Sequence, residues 1–324
     1  MRLKLAGLIA ALVLMSILGG VYAFQTQTSM QPAVPQTLVI APGTSTFGIA
    51  RQLESAGVIR SGLMFRLLAR LRGDAQELQS GEYLFADAAT LPQVMQRLRR
   101  GDVLLHRLTI PEGLRSDEVL SLFAAQTDTP LAHWQEVYRQ LLNGQEGEGR
   151  LLPETYTYRR PVNAHAILLD MLKAQHDLLQ SLVPAWLDVQ GLRIVASIIE
   201  KETALDKERP LVAAVIRNRL ACHMALQMDP TVIYGLWRTD GNFSGNIHKG
   251  DLQRDTPWSS YTRKGLPPTP ICNPGAASLR AAAAPADVDY LYFVADGSGG
   301  HAFAATLEEH NANVRQWMKI ERQR

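Results

Sequence analysis

The sequence predicts an α+β protein with an N-terminal membrane anchor, a small α+β module and a larger mixed α/β domain with a loop-built groove. Three observations predict this organisation. An uncharged apolar run fills residues 5–24, a strand, turn and helix pattern then occurs twice, and the last third joins apolar helical stretches to segments rich in proline, glycine and aromatic residues. The length of 324 residues also favours several domains, because a single core seldom takes so long a chain.

The apolar run at residues 5–24 has the length that crossing the hydrocarbon core of a bilayer requires. Arg2 and Lys4 precede it, which favours a cytoplasmic N-terminus and transfer of the remaining chain across the membrane. The alternative is a cleaved secretory signal, because a small-residue cleavage pattern ends at Ala23. Both interpretations place the following domains outside the cytoplasm, and we expect a retained single-pass anchor followed by a polar linker at 25–36.

Composition excludes one class of partner and leaves one question open. Lys and Arg total 33 against 31 Asp and Glu, so the chain lacks the basic excess that nucleic-acid binding demands. The two cysteines, Cys222 and Cys272, either form one disulfide in an oxidising compartment or remain two buried free thiols. No cysteine or histidine shows ligand spacing of the CxxC or HxxxH kind, so we expect neither a metal site nor a cofactor.

The segment after the linker carries a weak internal repeat. In the first copy a strand-like stretch at 38–40 leads through a Pro-Gly turn into a capped helix. In the second copy Pro111 and Gly113 mark the turn and Ser116 is expected to cap the helix. Two such units favour small α+β modules over one large sheet. The apolar residues expected to face inward from the second helix are Val119, Leu120 and Phe123.

Three further segments complete this region. Residues 81–85, GEYLF, are expected to form a strand, and a helix should begin at Thr90 and Pro92 and stop at Gly101. Residues 131–187 have a helical pattern with two interruptions, at 143–149 and 151–156. The predicted division is an anchor, a linker, a small module, a connecting α+β and helical region, and a final domain, at 1–24, 25–36, 37–105, 106–190 and 191–324.

The final domain opens with a helix containing ASIIEKETA, residues 196–204, and continues with a second helix, LVAAVIRNRL. After it the sequence is expected to be loop-rich. Its prolines, glycines and aromatic residues cluster as in a binding face built from loops. The expected loop segments are LQMDPTVIYG, SSYTRKGLPPTPICNPG and YLYFVADGSGGHAF.

Two carboxylates, Glu200 and Glu202, lie in this first helix, and its periodicity separates them. At about 100° per residue Glu202 falls inside the apolar arc, whereas Glu200 falls outside it. A carboxyl on the apolar side loses hydration, which raises its pKa and suits a general acid. The alternative is that the helix ends near residue 201 and both glutamates are solvated. The arc consists of Leu192, Ile194, Val195, Ala196, Ile198 and Ile199.

Several long blocks in order carry a resemblance to a known family. They are IIEKETA, IRNRL, LQMDPTVIYG, SSYTRKGLPPTPICNPG, ASLRAAAAPADVDYLYFVADGSGGH and HNANV, with GEYLF and PEG in the N-terminal half. The chain resembles the endolytic murein transglycosylases of the YceG-like, or MltG, family over nearly its whole length. The segment from Trp237 to Gly250 does not align clearly, so roles within it stay open.

The resemblance implies cleavage of the β-1,4 bond between N-acetylmuramic acid and N-acetylglucosamine within peptidoglycan strands, ending in a 1,6-anhydromuramyl product. The family's catalytic glutamate falls on Glu202, and the Glu202-Thr203 pair is similar to the Glu-Ser pair of other lytic transglycosylases. The resemblance further implies a LysM-like module at 37–105 and a bacterial inner-membrane protein that faces the periplasm. There it would work beside the peptidoglycan synthases and terminate strand growth.

This chemistry fits a site with one acid. Glycoside hydrolysis uses two carboxylates, whereas in a lytic transglycosylase the muramic C6 hydroxyl replaces water as the nucleophile. Asp229 is the candidate second carboxylate, with a structural or substrate-orienting role favoured because Asp before Pro often shapes a turn. A muramidase-type hydrolase and a non-catalytic peptidoglycan-binding scaffold are the alternative functions.

The matching blocks also supply candidate substrate-binding residues. Polysaccharide sites need aromatic rings and polar groups on loops, although each such residue could instead pack its own loop. His301 and His310 are expected to be structural. The candidates for substrate binding are Asn218, Gln227, Asp229, Tyr234, Tyr261, Thr262 and Asn273.

Overall fold

The computed structural model describes residues 12–16, 19–20, 35–182, 186–241, 243 and 245–323. Its helices and short two-stranded sheets give the predicted α+β class. The chain forms two compact units. The N-terminal unit contains the described residues up to Arg107 together with Thr157–Asn163, and the C-terminal unit contains Leu108–Tyr156 and the described residues from Ala164 onward. The finer domain division predicted from the sequence stays a prediction.

The N-terminal unit follows the sequence prediction closely. A turn at Pro42 and Gly43 follows the first strand, and the Ser45 hydroxyl accepts a hydrogen bond from the backbone of Gly48 to cap the next helix. The strands pair antiparallel, with Gln36 opposite Phe85 and Ile40 opposite Gly81. The elements are β1 (Gln36–Ile40), α1 (Thr46–Ser55), α2 (Gly62–Arg72), a 3₁₀ turn (Asp74–Gln76), β2 (Gly81–Phe85) and α3 (Leu91–Arg100).

Helix α3 begins and ends where its sequence predicts. Thr90 caps it, Pro92 occupies its first turn, and Gly101 ends it in the left-handed region at φ 63°. The unit has its own apolar core, to which the inward faces of α1, α2, α3, β1 and β2 contribute. Fully buried members of this core include Leu53, Phe65, Tyr83, Phe85, Val94, Met95 and Leu98.

The second strand, turn and helix copy departs from prediction at its cap. Ser116 is the first residue of the helix, and its hydroxyl donates to Glu148 at 3.1 Å. Arg115 precedes the helix, and its backbone amide donates to Glu118 at 2.8 Å. The prediction that Ser116 caps the helix is therefore wrong by one position, because a buried carboxylate distant in sequence binds the hydroxyl. Val119, Leu120 and Phe123 are buried, as predicted.

The C-terminal unit is mainly helical. Strand β3 (His106–Thr109) pairs with β4 (Thr155–Tyr158). The boundary between the N-terminal and C-terminal units falls within each of these strands, after Arg107 and after Tyr156. The other elements are α4 (Ser116–Gln126), α5 (Leu131–Leu142), α6 (Ala164–Ser181), α7 (Val189–Glu202), α8 (Arg209–Ala221), α9 (Asp229–Asp240), a 3₁₀ turn (Asp251–Gln253), α10 (Ala276–Ala283), β5 (Tyr292–Ala295), β6 (His301–Ala304) and α11 (Leu307–Glu321).

Helix α7 is the centre of this unit. All its residues from Gly191 to Ile199 are buried, and it packs against α8, α9 and α10. Arg193 and Ser197, its polar members, are satisfied internally, because Arg193 donates to Gln175 at 2.9 Å and Ser197 donates to the carbonyl of Ile194 at 2.8 Å. A helix buried on every side is held rigidly, so the residues at its C-terminal end have fixed positions.

Two segments expected to be loops have regular structure. LQMDPTVIYG begins helix α9 at Asp229, because Pro230 fits the first turn of a helix, where its missing N–H leaves no hydrogen bond unmade. YLYFVADGSGGHAF forms the hairpin of β5 and β6, with Gly297 and Gly299 at positive φ in its turn. The expectation of a loop-rich final third is therefore wrong at these two places.

The sequence left two questions open, the state of the two cysteines and the nature of the N-terminal apolar run. Both cysteines are free thiols, so no disulfide joins them, and only Cys272 is buried, whereas Cys222 is exposed, contrary to the alternative of two buried thiols. The predicted anchor at 5–24 lies outside the described residues except for 12–16 and 19–20. Within the part of the chain that the structure describes, no helix has the length and apolar character needed to cross a membrane.

Candidate active site

Glu202 is the last residue of α7, and its side chain is partly buried. Thr203 follows in extended conformation, which ends the helix. The pKa of the Glu202 carboxyl is raised to about 8, mainly by burial and also by the nearby charge of Asp229, while the charge of Arg219 partly opposes the rise. The carboxyl group is therefore protonated at neutral pH, which is the state a general acid requires.

Arg219 of α8 supplies a fixed buried cation near this carboxyl. Its Nε donates to the carbonyl of Leu291 at 2.6 Å and its Nη1 donates to the carbonyl of Leu226. Burial lowers the pKa of Arg219, while the nearby tyrosine hydroxyls and Glu202 raise it. Two backbone carbonyls therefore hold the guanidinium in place.

Asp229 and Tyr261 form the second polar pair of the site. Asp229 is the first residue of α9 and is exposed, and the Tyr261 hydroxyl donates to its Oδ1 at 2.6 Å. Burial raises the pKa of Tyr261, and the hydrogen bond to Asp229 raises it further, so this hydroxyl remains a donor at neutral pH. Asp229 begins a helix, contrary to the turn expected from Asp before Pro.

The segment that carries Tyr261 is fixed against the start of α9. The Gln227 amide donates to the carbonyl of Ser260 at 3.0 Å, and the Met228 amide donates to the Ser260 hydroxyl at 2.9 Å. That hydroxyl also lies 2.7 Å from the hydroxyl of Thr231. These buried hydrogen bonds set the position of Tyr261 relative to Asp229.

His310 and Tyr292 border Arg219 on another side. The two rings stack with centroids 5.2 Å apart, and the guanidinium of Arg219 lies over the Tyr292 ring at 5.6 Å. Burial lowers the pKa of His310, and the charge of Arg219 lowers it further, so the imidazole is neutral. Its Nδ1 is buried and has no hydrogen-bond partner among the described residues.

Thr203, next to Glu202, belongs to a separate buried network. Its hydroxyl donates to Glu208 Oε2 at 3.0 Å, and the same carboxylate accepts from the backbone and ring nitrogens of His301 at 2.9 and 2.7 Å. Burial raises the pKa of Glu208, but the hydrogen bonds from His301 and Thr203 outweigh it, so the net shift of the pKa is downward. The network fixes the backbone directly after Glu202.

Glu200 has different surroundings from Glu202, as the helix geometry predicts. Its Oε2 accepts from the Gly275 amide at 2.8 Å, and its Oε1 lies 3.5 Å from Arg209. Although Glu200 falls outside the apolar arc of the helix, its side chain is only 6% exposed. This carboxylate fixes the loop before α10.

Three of the predicted substrate-binding residues have side chains engaged inside the protein. Asn218 donates to the carbonyls of Val288 and Tyr290 at 2.8 and 3.0 Å. The buried Tyr234 hydroxyl donates to Glu148 at 3.3 Å. Asn273 is fully buried, and its side chain accepts from the Leu151 amide and donates to the Leu114 carbonyl and the Ser116 hydroxyl. These contacts hold segments of the C-terminal unit together.

The other predicted residues lie nearer the surface. Gln227 is exposed and has a left-handed backbone at φ 48°. Thr262 is exposed, and its hydroxyl donates to Asp255 at 2.7 Å. The structure therefore brings Asp229 and Tyr261 to Glu202 and places Gln227 two residues before Asp229. Among the described residues, no group of three histidine, cysteine, aspartate or glutamate side chains is arranged to hold a metal ion.

Sequence reasoning missed two residues of the site, Arg219 and Tyr292. It also missed that the charge of Arg219 lowers the pKa of His310. Arg219 belongs to the block IRNRL, in which Asn218 was the residue chosen. Because Asn218 and Arg219 are adjacent on α8, they point in directions about 100° apart, so only one can face α7. The packing of α8 against α7 places Arg219, and not Asn218, near Glu202. The sequence of α8 alone does not show which of the two residues faces α7.

Comparisons with known proteins agree with this architecture. The model of the YceG-like family matches residues 38–316. An endolytic murein transglycosylase of Bacillus subtilis is 30% identical over 303 residues, which cover 84% of this chain and 82% of that protein. One of Streptococcus pneumoniae serotype 2 is 27% identical over 320 residues, covering 86% of this chain but 57% of that longer protein.

A solved structure leads to the same family. The crystal structure of a protein from Listeria monocytogenes described as YceG-like has a TM-score of 0.54 and 31% sequence identity to this chain. The match covers 86% of this chain and 98% of the Listeria chain. With the family model matched over most of its length, the chain belongs to the YceG-like family.

Proposed function

We propose that this protein is an endolytic murein transglycosylase with Glu202 as its catalytic acid and base. It cleaves the β-1,4 bond between N-acetylmuramic acid and N-acetylglucosamine inside glycan strands and leaves a 1,6-anhydromuramyl end. The observation that carries the proposal is a partly buried carboxyl at the end of α7 with a pKa raised to about 8, mainly by burial, near the fixed cation Arg219. Family membership and the names of the Bacillus and Streptococcus relatives support the substrate and the reaction class.

The reaction follows from the protonation state of Glu202. The protonated carboxyl gives its proton to the glycosidic oxygen as the bond from C1 to that oxygen breaks. The carboxylate then takes the proton of the muramic C6 hydroxyl while O6 closes on C1. Glu202 ends with the proton it began with, and no water is consumed.

The neighbours of Glu202 suit the two halves of this cycle. The charge of Asp229 favours the protonated acid before cleavage, and the charge of Arg219 stabilises the carboxylate after the proton has left. Asp229 and Tyr261 present a carboxylate oxygen and a hydroxyl to sugar hydroxyl groups. We assign these two, with Gln227 and Thr262, to substrate binding, whereas Asn218, Tyr234 and Asn273 support the site from inside.

Muramidase-type hydrolysis is the second candidate, because Asp229 lies close enough to Glu202 to affect its pKa. A second carboxylate near the acid is what hydrolysis needs. The two reactions differ only in the atom that closes on C1. Anhydro ends identify transfer to O6, and reducing ends identify transfer to water.

The test is digestion of purified peptidoglycan with the full-length chain in detergent, followed by mass spectrometry of the product ends. Internal cleavage should give anhydro-ended strands of many lengths, and Glu202→Gln should abolish them. Glu321→Gln, which changes an exposed carboxylate on α11, is the matched control and should keep full activity. Reducing ends would establish the hydrolase, and loss of activity in Glu200→Gln but not Glu202→Gln would reject the site assignment.

The proposal includes a location and a partner. Residues 5–24 anchor the chain in the bacterial inner membrane, with both compact units in the periplasm beside the peptidoglycan synthases, where cleavage terminates growing strands. The N-terminal unit is the LysM-like module. Its order of strand, helix, helix and strand around a separate core supports this assignment. Alkaline carbonate extraction of membranes tests the anchor, since a cleaved signal would release the protein.

A further inference from the structure

An apolar stripe runs along the outer face of α2. Leu63, Leu67 and Leu71 are 64%, 50% and 70% exposed, although the opposite face of the helix is buried in the core of the N-terminal unit. Spaced four residues apart, they form one line about 12 Å long. Leucines exposed at helical spacing mark a surface that contacts something apolar, since scattered single leucines would show no such period.

Arginines flank this stripe. At about 100° per residue Arg66 and Arg70 lie along one edge of it. The guanidinium of Arg66 lies 4.9 Å from the ring centre of Phe47, which is itself 55% exposed on α1. Within the described part of the chain, neither Arg66 nor Arg70 forms an ion pair with a carboxylate. The surface therefore consists of leucines and a phenylalanine beside two arginines that have no carboxylate partner among the described residues.

The N-terminal unit as a whole is positively charged, like the arginines beside the stripe. Residues 35–107 and 157–163 contain eleven arginines, no lysine and six acidic side chains, a formal net charge of +5. Residues 108–156 and 164–324 contain 20 basic and 25 acidic side chains, a formal net charge of −5. A nearly neutral protein thus carries its positive charge on the unit with the exposed stripe, which favours an anionic partner for that unit.

The position of this unit in the chain limits what it can reach. Residues 25–35 separate the proposed anchor from β1, and eleven residues span at most about 40 Å when fully extended. A unit held so close to the bilayer meets lipid headgroups at high effective concentration. Aliphatic leucines suit acyl chains, whereas sugar rings are bound by aromatic faces.

We propose that the outer face of α2, Leu63, Leu67 and Leu71 with Arg66, Arg70 and Phe47, docks on the surface of a membrane containing anionic phospholipids. The leucines and Phe47 enter the boundary between headgroups and acyl chains, and the arginines contact lipid phosphates. The inference rests on the membrane anchor in the proposed function but not on the cleavage reaction. Docking would hold the N-terminal unit at the bilayer where the chain leaves it.

The test uses the full-length chain reconstituted into vesicles. Leu67→Cys in a Cys222→Ser background carries an environment-sensitive fluorophore, since Cys272 is buried. Vesicles of phosphatidylglycerol and phosphatidylcholine, or of phosphatidylcholine alone, contain lipids with spin-labelled acyl chains as quenchers. We expect strong quenching in the anionic vesicles and several-fold less in the neutral ones. The same label at Gln96, exposed on α3, is the matched control.

Variants and alternative occupants complete the design. Arg66→Gln and Arg70→Gln should each lower the docked population about fivefold, and high salt should act in the same direction. Glycan cleavage in detergent by both variants should be unchanged, which shows that they fold. If aqueous iodide quenched the fluorophore at position 67 equally in both vesicle types, the proposal would be overturned, because the label would then be in water in both. A fluorescence change that depended on protein concentration would indicate a second copy of the chain as the occupant, and a change on addition of glycan strands would indicate glycan; either would also overturn the proposal. If the chain fails to float with the vesicles, the anchor is wrong instead.

Discussion

Replacement of Glu202 with glutamine changes stability in a direction that depends on pH. The folded protein keeps the Glu202 proton up to about pH 8, whereas the unfolded chain releases it near its ordinary pKa of 4.5. Between these values the folded state binds more protons, so the contribution of this group to the free energy of unfolding falls as pH rises. Glutamine cannot ionise, so the variant does not lose stability in this window.

The size of the effect follows from the pKa. A rise from 4.5 to about 8 corresponds to about 5 kcal/mol at 1.36 kcal/mol per pKa unit. This value is an upper limit, because water reaches a partly buried carboxylate when the surrounding loops relax. Each kcal/mol shifts the melting temperature of a unit of this size by about 2–4 °C. The variant should match the wild type near pH 4 and melt several degrees higher near pH 9.

Thermal unfolding of both proteins across this pH range measures the difference. Wild-type strand cleavage measured in parallel should decline as pH rises through about 8, because the acid loses its proton there. Glu321→Gln, an exposed carboxylate, should show no pH-dependent gap. A constant difference in melting temperature between wild type and Glu202→Gln at all pH values would refute the argument that burial holds the proton on Glu202.

Three further substitutions separate the roles of the surrounding residues. Asp229→Asn removes a charge that raises the pKa of Glu202, so the alkaline decline of activity should move to lower pH while the anhydro ends persist; a pH profile of product formation measures this. Asn273→Ala should lower the free energy of unfolding by roughly 3 kcal/mol in denaturant titrations and leave the KM of the folded protein unchanged, because its hydrogen bonds are all internal. Glu208→Gln removes the carboxylate that accepts hydrogen bonds from His301 and should lower the free energy of unfolding by about 1–3 kcal/mol near neutral pH. Because the pKa of Glu208 is lowered in the folded state, this loss should shrink as pH falls below 4.5, which unfolding measured across pH would show.

The sequence was most informative where the signal was local. Helix periodicity separated Glu202 from Glu200, and Thr90 and Gly101 set the ends of α3, because caps and apolar arcs depend on residues within a few turns of each other. Helix α9 escaped prediction although its signal is also local. Its start contains a proline, which ends a helix in most positions but begins one here, at the turn after Met228.

The polar surroundings of the site could not be predicted in the same way. Asn273 and Tyr234 lie in blocks shared with the family, but no local pattern shows whether their side chains point toward a groove or toward Glu148 and Ser116, which are distant in sequence. Arg219 depends on the packing of α8 against α7. Side-chain direction in such cases is set by contacts between elements, which a single sequence does not display.

Burial of Glu202 explains how one carboxyl can serve both halves of the reaction. An ordinary carboxyl with a pKa of 4.5 is almost wholly ionised at neutral pH, and its conjugate base is too weak to draw a proton from a sugar hydroxyl effectively. A pKa of about 8 keeps the acid protonated and makes the carboxylate a stronger base once the proton has left. The apolar arc of α7 therefore does more than place a residue. It supplies the basicity that a second carboxylate would otherwise have to provide, and Arg219 prevents that basicity from rising so far that the first proton is never released.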